Sequence, residues 1–172
     1  LAREIRPKNT TYYGSLEKKK DLVFAEVRKS IDKRFAPLPI SSVICLMDGA
    51  LGLWNLAKKH FPNAIYILDI MHVLSYLWKA VNVLEKDKEK ARELVCKYLT
   101  MILQGQVGRV IGGLRIRLTK NNIRGEKRKI VQSTITYFEN HRDYMHYDQY
   151  LSEGYPVASG VIESACRHLI QN

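Results

Sequence analysis

Residues 42–49 read Ser-Val-Ile-Cys-Leu-Met-Asp-Gly, and residues 64–69 read Ala-Ile-Tyr-Ile-Leu-Asp. Each stretch is a short apolar run without alternation that stops at an aspartate, a pattern typical of a strand buried on both faces. A helical pattern follows each run, over about residues 50–61 and 70–84. Strand, helix, strand and helix joined by short connections predict an α/β fold in which the two strands pair in parallel.

Helix-forming sequence surrounds this βαβα unit. Before it, Leu22, Val27 and Phe35 fall at helical spacing, and Pro37 ends the predicted helix. After it, the sequence predicts helices over about residues 86–104, 107–118 and 130–138. The basic stretch 124–129 and the aromatic stretch 144–155 are predicted to be connections.

Three parts follow from this pattern. We expect residues 1–85 to form an α/β core, residues 86–150 to form an all-helical insertion, and residues 151–172 to form a closing helix. The last helix has no glycine or proline to stop it, and the first residue is Leu1 rather than methionine. These two features favour a chain that is cut at both ends.

The charge of the chain favours a polyanionic partner. Its 28 lysines and arginines outnumber 17 aspartates and glutamates, so the net charge is +11 at pH 7. The positive charges of such a chain repel one another, and a bound nucleic acid would relieve this repulsion and release counterions. A generic soluble protein with a high isoelectric point is the alternative. The composition excludes a disordered or fibrous chain, and neither a membrane span nor a secretory leader is expected. Three widely spaced cysteines favour neither a disulfide framework nor a zinc site, and fit a reducing, intracellular setting.

Four residues are candidates for a functional site. Ligands of open α/β sheets bind beyond the carboxyl ends of the strands, where Asp48 and Asp69 are predicted to lie. His72 follows Asp69 by three residues, and Glu163 lies one turn inside the last predicted helix. Each has a purely structural interpretation: Asp48 as a turn residue, Asp69 as a helix cap, His72 as a packing residue, and Glu163 as an acid favoured by the helix dipole.

The order of these motifs resembles the DDE transposases of bacterial insertion sequences, most closely the Kra-type family, which have an RNase-H-like catalytic core. The matching stretches are Asp-Gly-Ala at 48–50, Trp-Asn-Leu at 54–56, His-Phe-Pro-Asn-Ala at 60–64, Ile-Leu-Asp-Ile-Met-His at 67–72 and Tyr-Pro-Val-Ala-Ser-Gly-Val-Ile-Glu-Ser-Ala-Cys at 155–166. The resemblance extends over nearly the whole chain from about residue 40, and residues 86–150 match only in character.

The resemblance implies a metal-dependent enzyme that cuts and joins DNA. Asp48 would be the second acid of a catalytic triad and Glu163 the third, and both would ligate a pair of Mg²⁺ or Mn²⁺ ions. Asp69 and His72 would belong to a signature next to the site. The implied partners are transposon ends and target DNA, with a homo-oligomer in the complete protein, no membrane, and a cytoplasmic, nucleoid-associated location in bacteria.

One departure limits what is expected of this polypeptide by itself. The family carries its first aspartate on the first strand, ahead of residue 1, so we expect a transposase fragment that is inactive alone. Two alternatives stay open: a basic nucleic-acid-binding remnant that does not cut DNA, and a helix-rich structural protein whose acids are caps and turns. Both the transposase fragment and the nucleic-acid-binding remnant would bind DNA. The residues expected to contact its phosphates are Arg124, Lys127, Arg128 and Lys129.

Overall fold

The structure, a computed structural model, describes residues 18–36 and 42–159, which are mostly helical. The strands are β1 (Ile44–Met47) and β2 (Ile65–Leu68). The α-helices are α1 (Lys20–Phe35), α2 (Leu51–His60), α3 (Ile70–Leu84), α4 (Lys88–Leu103), α5 (Val107–Lys120), α6 (Gly125–Asn140) and α7 (Tyr147–Ser152). A short 3₁₀ helix, Arg142–Tyr144, joins α6 to α7.

The two strands pair in parallel, which confirms the predicted βαβα unit. Ile44 is the register partner of Ile65, and Met47 is the partner of Leu68. The expectation that both strands are buried on both faces is wrong for β1, which is half-buried along its whole length. The described part of the sheet has only these two strands, so each has an unpaired edge there. Only the last two residues of β2 are fully buried.

Helix α3 is the centre of the hydrophobic core. It spans the residues that the sequence predicts, and Val73, Leu77 and Val81 are fully buried on it. Helices α4, α5 and α6 pack against α3, so the buried side chains of the predicted insertion and of β2 belong to one cluster. Burial of the apolar side chains in this cluster is the main source of stability in the fold.

Two predicted connections are helical instead. Helix α6 begins at Gly125, so the basic stretch 124–129 forms its first turns rather than a loop before it. The aromatic stretch 144–155 begins at the last residue of the 3₁₀ helix and contains α7. The reason for the second difference is tertiary: Tyr147 and Tyr150 are buried, and their hydroxyls donate hydrogen bonds to the carbonyls of β2, Tyr147 to Leu68 at 2.7 Å and Tyr150 to Tyr66 at 3.3 Å.

Helix α1 is held to α2 by polar contacts. No residue of α1 is buried, and the apolar residues that predict this helix are exposed or half-buried. The Asp21 carboxylate lies 2.8 Å from both Lys59 Nζ and His60 Nε2, and Arg28 donates to the His60 carbonyl at 3.1 Å. The hydrogen bonds from Lys59 and His60 lower the pKa of Asp21. Across residues 18–36 and 42–159, no helix combines the length and apolarity required to cross a membrane.

Candidate functional site

Asp48 and Asp69 lie side by side at the carboxyl edge of the sheet. Their predecessors, Met47 and Leu68, are register partners, and the Asp69 backbone N–H donates to the Met47 carbonyl at 2.8 Å. Neighbouring strands are about 4.8 Å apart, so the two backbones leave the sheet next to each other. The sequence correctly predicts this edge as the place where polar side chains collect.

Asp48 is exposed and has one carboxylate oxygen free of described partners. Its Oδ1 accepts a hydrogen bond from the Ala50 backbone N–H at 2.9 Å, which closes a turn two residues long. Within the described residues, Oδ2 has no hydrogen-bond partner. Asp48 therefore has the turn role that was one interpretation of it. Its second carboxylate oxygen is not used by the described part of the fold.

Gly49 has a backbone conformation and a location that exclude other residues. Its φ angle is +87°, which L side chains rarely adopt. A Cβ at this position would come within 2.7 Å of Tyr137 Oη, 3.0 Å of His141 Nε2 and 3.1 Å of Leu68 Cδ1. The Asp48–Gly49 turn is thus in direct contact with α6.

Tyr137 of α6 and His141, the residue directly after this helix, hold the Asp48–Gly49 turn. The Tyr137 hydroxyl donates to the Asp48 carbonyl at 2.7 Å. His141 Nε2 lies 3.1 Å from the Gly49 carbonyl oxygen, and Nδ1 lies 2.8 Å from the Tyr137 carbonyl oxygen. Both partners are acceptors, so a neutral imidazole donates to one of them and an imidazolium donates to both. These contacts join the backbone carbonyls of Asp48 and Gly49 to the end of α6, about 90 residues later in the sequence.

Aromatic packing keeps Tyr137 in position. Its ring stacks on Tyr76 of α3 with centroids 3.8 Å apart and planes 7° apart. The ring of His141, the residue that follows α6, lies 4.4 Å from the Tyr137 ring. Burial raises the pKa of the Tyr137 hydroxyl, and the nearby charges of Asp48 and Asp69 act in the same direction. The hydroxyl therefore stays protonated and remains a donor to the Asp48 carbonyl at neutral pH.

Asp69 serves the fold with both of its carboxylate oxygens. It is 3% exposed, and its Oδ1 accepts from the Met71 backbone N–H at 2.9 Å, which caps α3. Its Oδ2 accepts from the Ser159 backbone N–H at 3.3 Å and from the Ser159 hydroxyl. The helix-cap interpretation of Asp69 is confirmed, and the structure adds a second role in holding Ser159.

The beginning of the last sequence motif returns to this edge. Val157 is buried, and its carbonyl accepts from the Ile70 backbone N–H at 2.9 Å. Together with the Asp69–Ser159 bonds, this contact places residues 157–159 across the start of α3. Glu163 and the remainder of that motif lie outside the described residues. His72 is exposed in the first turn of α3.

Trp54, from the second matching stretch, anchors α2 over the sheet. It is 3% exposed and stacks on Tyr144 of the 3₁₀ helix with ring centroids 4.3 Å apart. Its ring also lies 5.9 Å from the ring of Tyr66 on β2. Trp54 is therefore a packing residue, and it positions the helix that leads away from Asp48.

A cleft of about 540 Å³ opens beside the turn. It is lined by one face of α6 and by Tyr76 of α3, and Tyr137 and His141 belong to the same lining. Among the four basic residues predicted to contact DNA, Arg128 and Lys129 line the cleft, whereas Arg124 and Lys127 do not. All four are exposed.

The donor set at this edge fits a hard cation only in part. Within residues 18–36 and 42–159, no three His, Cys, Asp or Glu side chains are grouped so that they can hold a metal ion. Asp48 offers a free, exposed carboxylate oxygen, the ligand type that Mg²⁺ and Mn²⁺ prefer. Asp69 does not, because both of its oxygens already accept hydrogen bonds from the chain. Of the two predicted ligands, Asp48 alone lies in the described region.

Sequence reasoning missed Tyr137 and His141. Tyr137 lies near the end of the helix predicted over residues 130–138, but His141 lies beyond it, and a spacing of four residues is equally typical of ordinary packing. No protein-family model matches the chain, and comparison with curated proteins and with solved structures produced no significant match.

Proposed function

We propose that this chain contributes two of the three catalytic carboxylates of a DDE transposase, Asp48 and Glu163, within an RNase-H-like core. The reaction is hydrolysis of a phosphodiester bond at the end of a DNA element, followed by attack of the freed 3′-hydroxyl on target DNA. The proposal rests on the order of the sequence motifs. The observation that supports it best is the bonding of Ser159 to Asp69 at the edge that carries Asp48.

This bonding matters because it connects the two ends of the motif series. Asp48 and Asp69 leave the sheet side by side, and Ser159 follows Asp69 by 90 residues yet lies against its carboxylate. Glu163 is four residues after Ser159 in the sequence. Four residues span at most about 14 Å, so a segment anchored at Ser159 is short enough for Glu163 to meet the strand ends, as the proposal requires.

The chemistry requires carboxylates for a physical reason. Two Mg²⁺ or Mn²⁺ ions about 4 Å apart activate an attacking oxygen and stabilise a leaving oxygen in an in-line displacement. Asp48 and Glu163 would hold these ions together with the first aspartate of the family. Tyr137 and His141 would act as positioning residues, because they hold the backbone carbonyls of the Asp48–Gly49 turn and touch no reacting atom.

The test is metal-dependent DNA cleavage by a full-length protein that contains this chain and the first aspartate. We expect Asp48→Asn and Glu163→Gln to abolish nicking and strand transfer, while helical content and DNA affinity stay near those of the unmodified protein. Each change removes a charged metal ligand and keeps the side-chain size.

Asp32→Asn is the matched control. Asp32 is an exposed aspartate on α1 that pairs with Arg28 four residues earlier, and such a pair contributes about 0–1 kcal/mol. This variant should cleave DNA at the normal rate. Full strand-transfer activity in Asp48→Asn or in Glu163→Gln would show that the residue is wrongly assigned.

A second candidate function, binding of nucleic acid without cleavage, is favoured by the basic cleft. Arg128 and Lys129 line it, and the chain carries a net charge of +11. The two functions differ in one measurement. If the full-length protein with three acids binds DNA but leaves it intact at every Mg²⁺ and Mn²⁺ concentration, the binding function replaces the catalytic one.

A further inference from the structure

Helix α6 presents a row of hydrogen-bond donors to the cleft. The lining includes Arg128, Gln132, Thr136 and Asn140, which are spaced by four residues and therefore lie along one face of the helix. A neighbouring row with the same spacing contains Lys129, Ser133, Tyr137 and His141. None of the described residues that line the cleft is acidic.

Three donors of the first row are not used by the fold. Within the described residues, the side chains of Arg128, Gln132 and Asn140 have no hydrogen-bond partner, and all three are exposed. Lys129 forms an exposed ion pair with Glu126 at 2.6 Å, which contributes little to stability. A surface that offers hydrogen-bond donors and positive charge, with no carboxylate in its lining, is complementary to a chain of phosphates.

The aromatic side chains of the cleft do not form a stacking platform for bases. The Tyr76 ring is covered by Tyr137 at 3.8 Å, and Lys79 Nζ lies 4.7 Å from its centroid. The Tyr137 ring is covered by Tyr76 and approached by His141 at 4.4 Å. Binding of single-stranded nucleic acid depends strongly on free aromatic faces that stack on bases. Among the described residues that line the cleft, no tyrosine ring is left uncovered for stacking, which favours the backbone of a duplex as the ligand.

We infer that this cleft binds the phosphodiester backbone of duplex DNA along α6, with the strand running toward the Asp48–Gly49 turn. The inference rests on the proposed function for the choice of DNA as the polyanion. The contacts are to phosphates, so they position the duplex without reading its sequence. Lys79, beside Tyr76, adds positive charge to the same region.

The length of α6 determines how much DNA is in contact. From Arg128 to Asn140 the helix rises by about 18 Å, at about 1.5 Å per residue. A duplex carries one phosphate per strand for about every 3.4 Å of its axis, so a row that lies along this axis spans about five phosphates of one strand. From Arg128 to Tyr137 the rise is about 14 Å, which places the Arg128 contact about four base pairs from the turn.

The experiment compares lysines two positions apart on the same helix. Affinity of the 172-residue chain for a short labelled duplex is measured by fluorescence anisotropy over a series of salt concentrations, without divalent metal. Lys129→Gln and Arg128→Gln should each lower the affinity about three- to tenfold at about 0.1 M salt. Each should also reduce the slope of log affinity against log salt by about 1, because one phosphate contact is lost.

Lys127→Gln is the matched control. Lys127 is an exposed lysine of the same basic stretch, its substitution changes the net charge equally, and it does not line the cleft. It should change affinity and slope by less than half as much as Lys129→Gln. Equal effects at the two lysines would show a diffuse basic surface and would overturn the inference. So would a single strand of mixed sequence that binds more tightly than the duplex.

The two proposals fail separately. Loss of binding in the cleft variants together with full cleavage by Asp48→Asn would leave the DNA-binding cleft and refute the catalytic assignment. Normal binding in the cleft variants together with abolished cleavage in Asp48→Asn would refute the cleft alone. Circular dichroism of each variant checks that the helical content is unchanged.

Discussion

Gly49→Ala tests whether α6 holds the Asp48 turn as tightly as the structure indicates. The substitution adds one carbon atom to a residue with a φ of +87°, and that carbon would lie 2.7 Å from Tyr137 Oη. A left-handed backbone conformation costs an alanine about 1–2 kcal/mol relative to glycine. Forcing an extra carbon into a packed contact costs about 1–3 kcal/mol more. The expected loss of unfolding free energy is therefore about 2–5 kcal/mol.

The second part of this loss depends on how far Tyr137 can move. Its ring is stacked on Tyr76, so displacing the hydroxyl disturbs that stack and weakens the bond to the Asp48 carbonyl. Gly154→Ala isolates the backbone part of the cost. Gly154 has a φ of +73° with no atom near its missing Cβ, so its substitution should cost only about 1–2 kcal/mol.

Urea unfolding followed by helical circular dichroism measures both variants. A third variant, Gly52→Ala, should be as stable as the unmodified chain or up to about 1 kcal/mol more stable, because Gly52 is helical and its missing Cβ meets nothing. Gly49→Ala combined with Tyr137→Phe should lose less than the sum of the two single changes, since the nearest clashing atom is gone. The reasoning is refuted if Gly49→Ala costs no more than Gly154→Ala.

Two further predictions concern the buried groups at this edge. Burial raises the pKa of Tyr147 and of Tyr137 in the folded chain, so above about pH 10 the unfolded chain loses protons that the folded chain keeps, and stability should fall as the pH rises. The urea midpoint of Tyr147→Phe should then fall less between about pH 9 and pH 11 than that of the unmodified chain, and an equal fall would contradict the assignment. Asp69→Ala removes the cap of α3 and the acceptor for Ser159, so it should cost about 2–4 kcal/mol, and hydrogen exchange at the Met71 and Ser159 amides should accelerate. Ser159→Ala should accelerate exchange at residue 159 while leaving Met71 protected, and unchanged exchange in Asp69→Ala would show that these bonds do not hold the segment.

Local patterns in the sequence predicted most of the secondary structure. The bounds of α3 follow from its apolar periodicity and from the cap at Asp69, both of which are properties of neighbouring residues. The parallel pairing of β1 and β2 also follows from the sequence, because a helix between two apolar runs restricts the topology. The start of α6 was predicted five residues too late, since its first turns are basic and carry no apolar signal.

The tertiary structure decided which of the candidate residues meet. The helical spacing of apolar residues predicts α1 but does not say whether a partner surface exists for it. In the structure, α1 lies on α2 through Asp21 and Arg28 with no buried residue. The roles of Tyr137 and His141 could not be read from their spacing. They arise because α6 packs on α3 and crosses the Asp48–Gly49 turn about 90 residues away in sequence.

The amino-acid sequence alone predicts that two aspartates follow two apolar strands, because apolar runs, helix caps and charge are local properties. Only the tertiary structure distinguished the two acids. Asp69 is buried and bonded to Ser159, whereas Asp48 is exposed and one of its carboxylate oxygens has no partner among the described residues. The same packing separated Arg128 and Lys129, which face the cleft, from Lys127, which does not. Distances between residues far apart in the chain result from how helices pack, and that packing depends on the whole core at once.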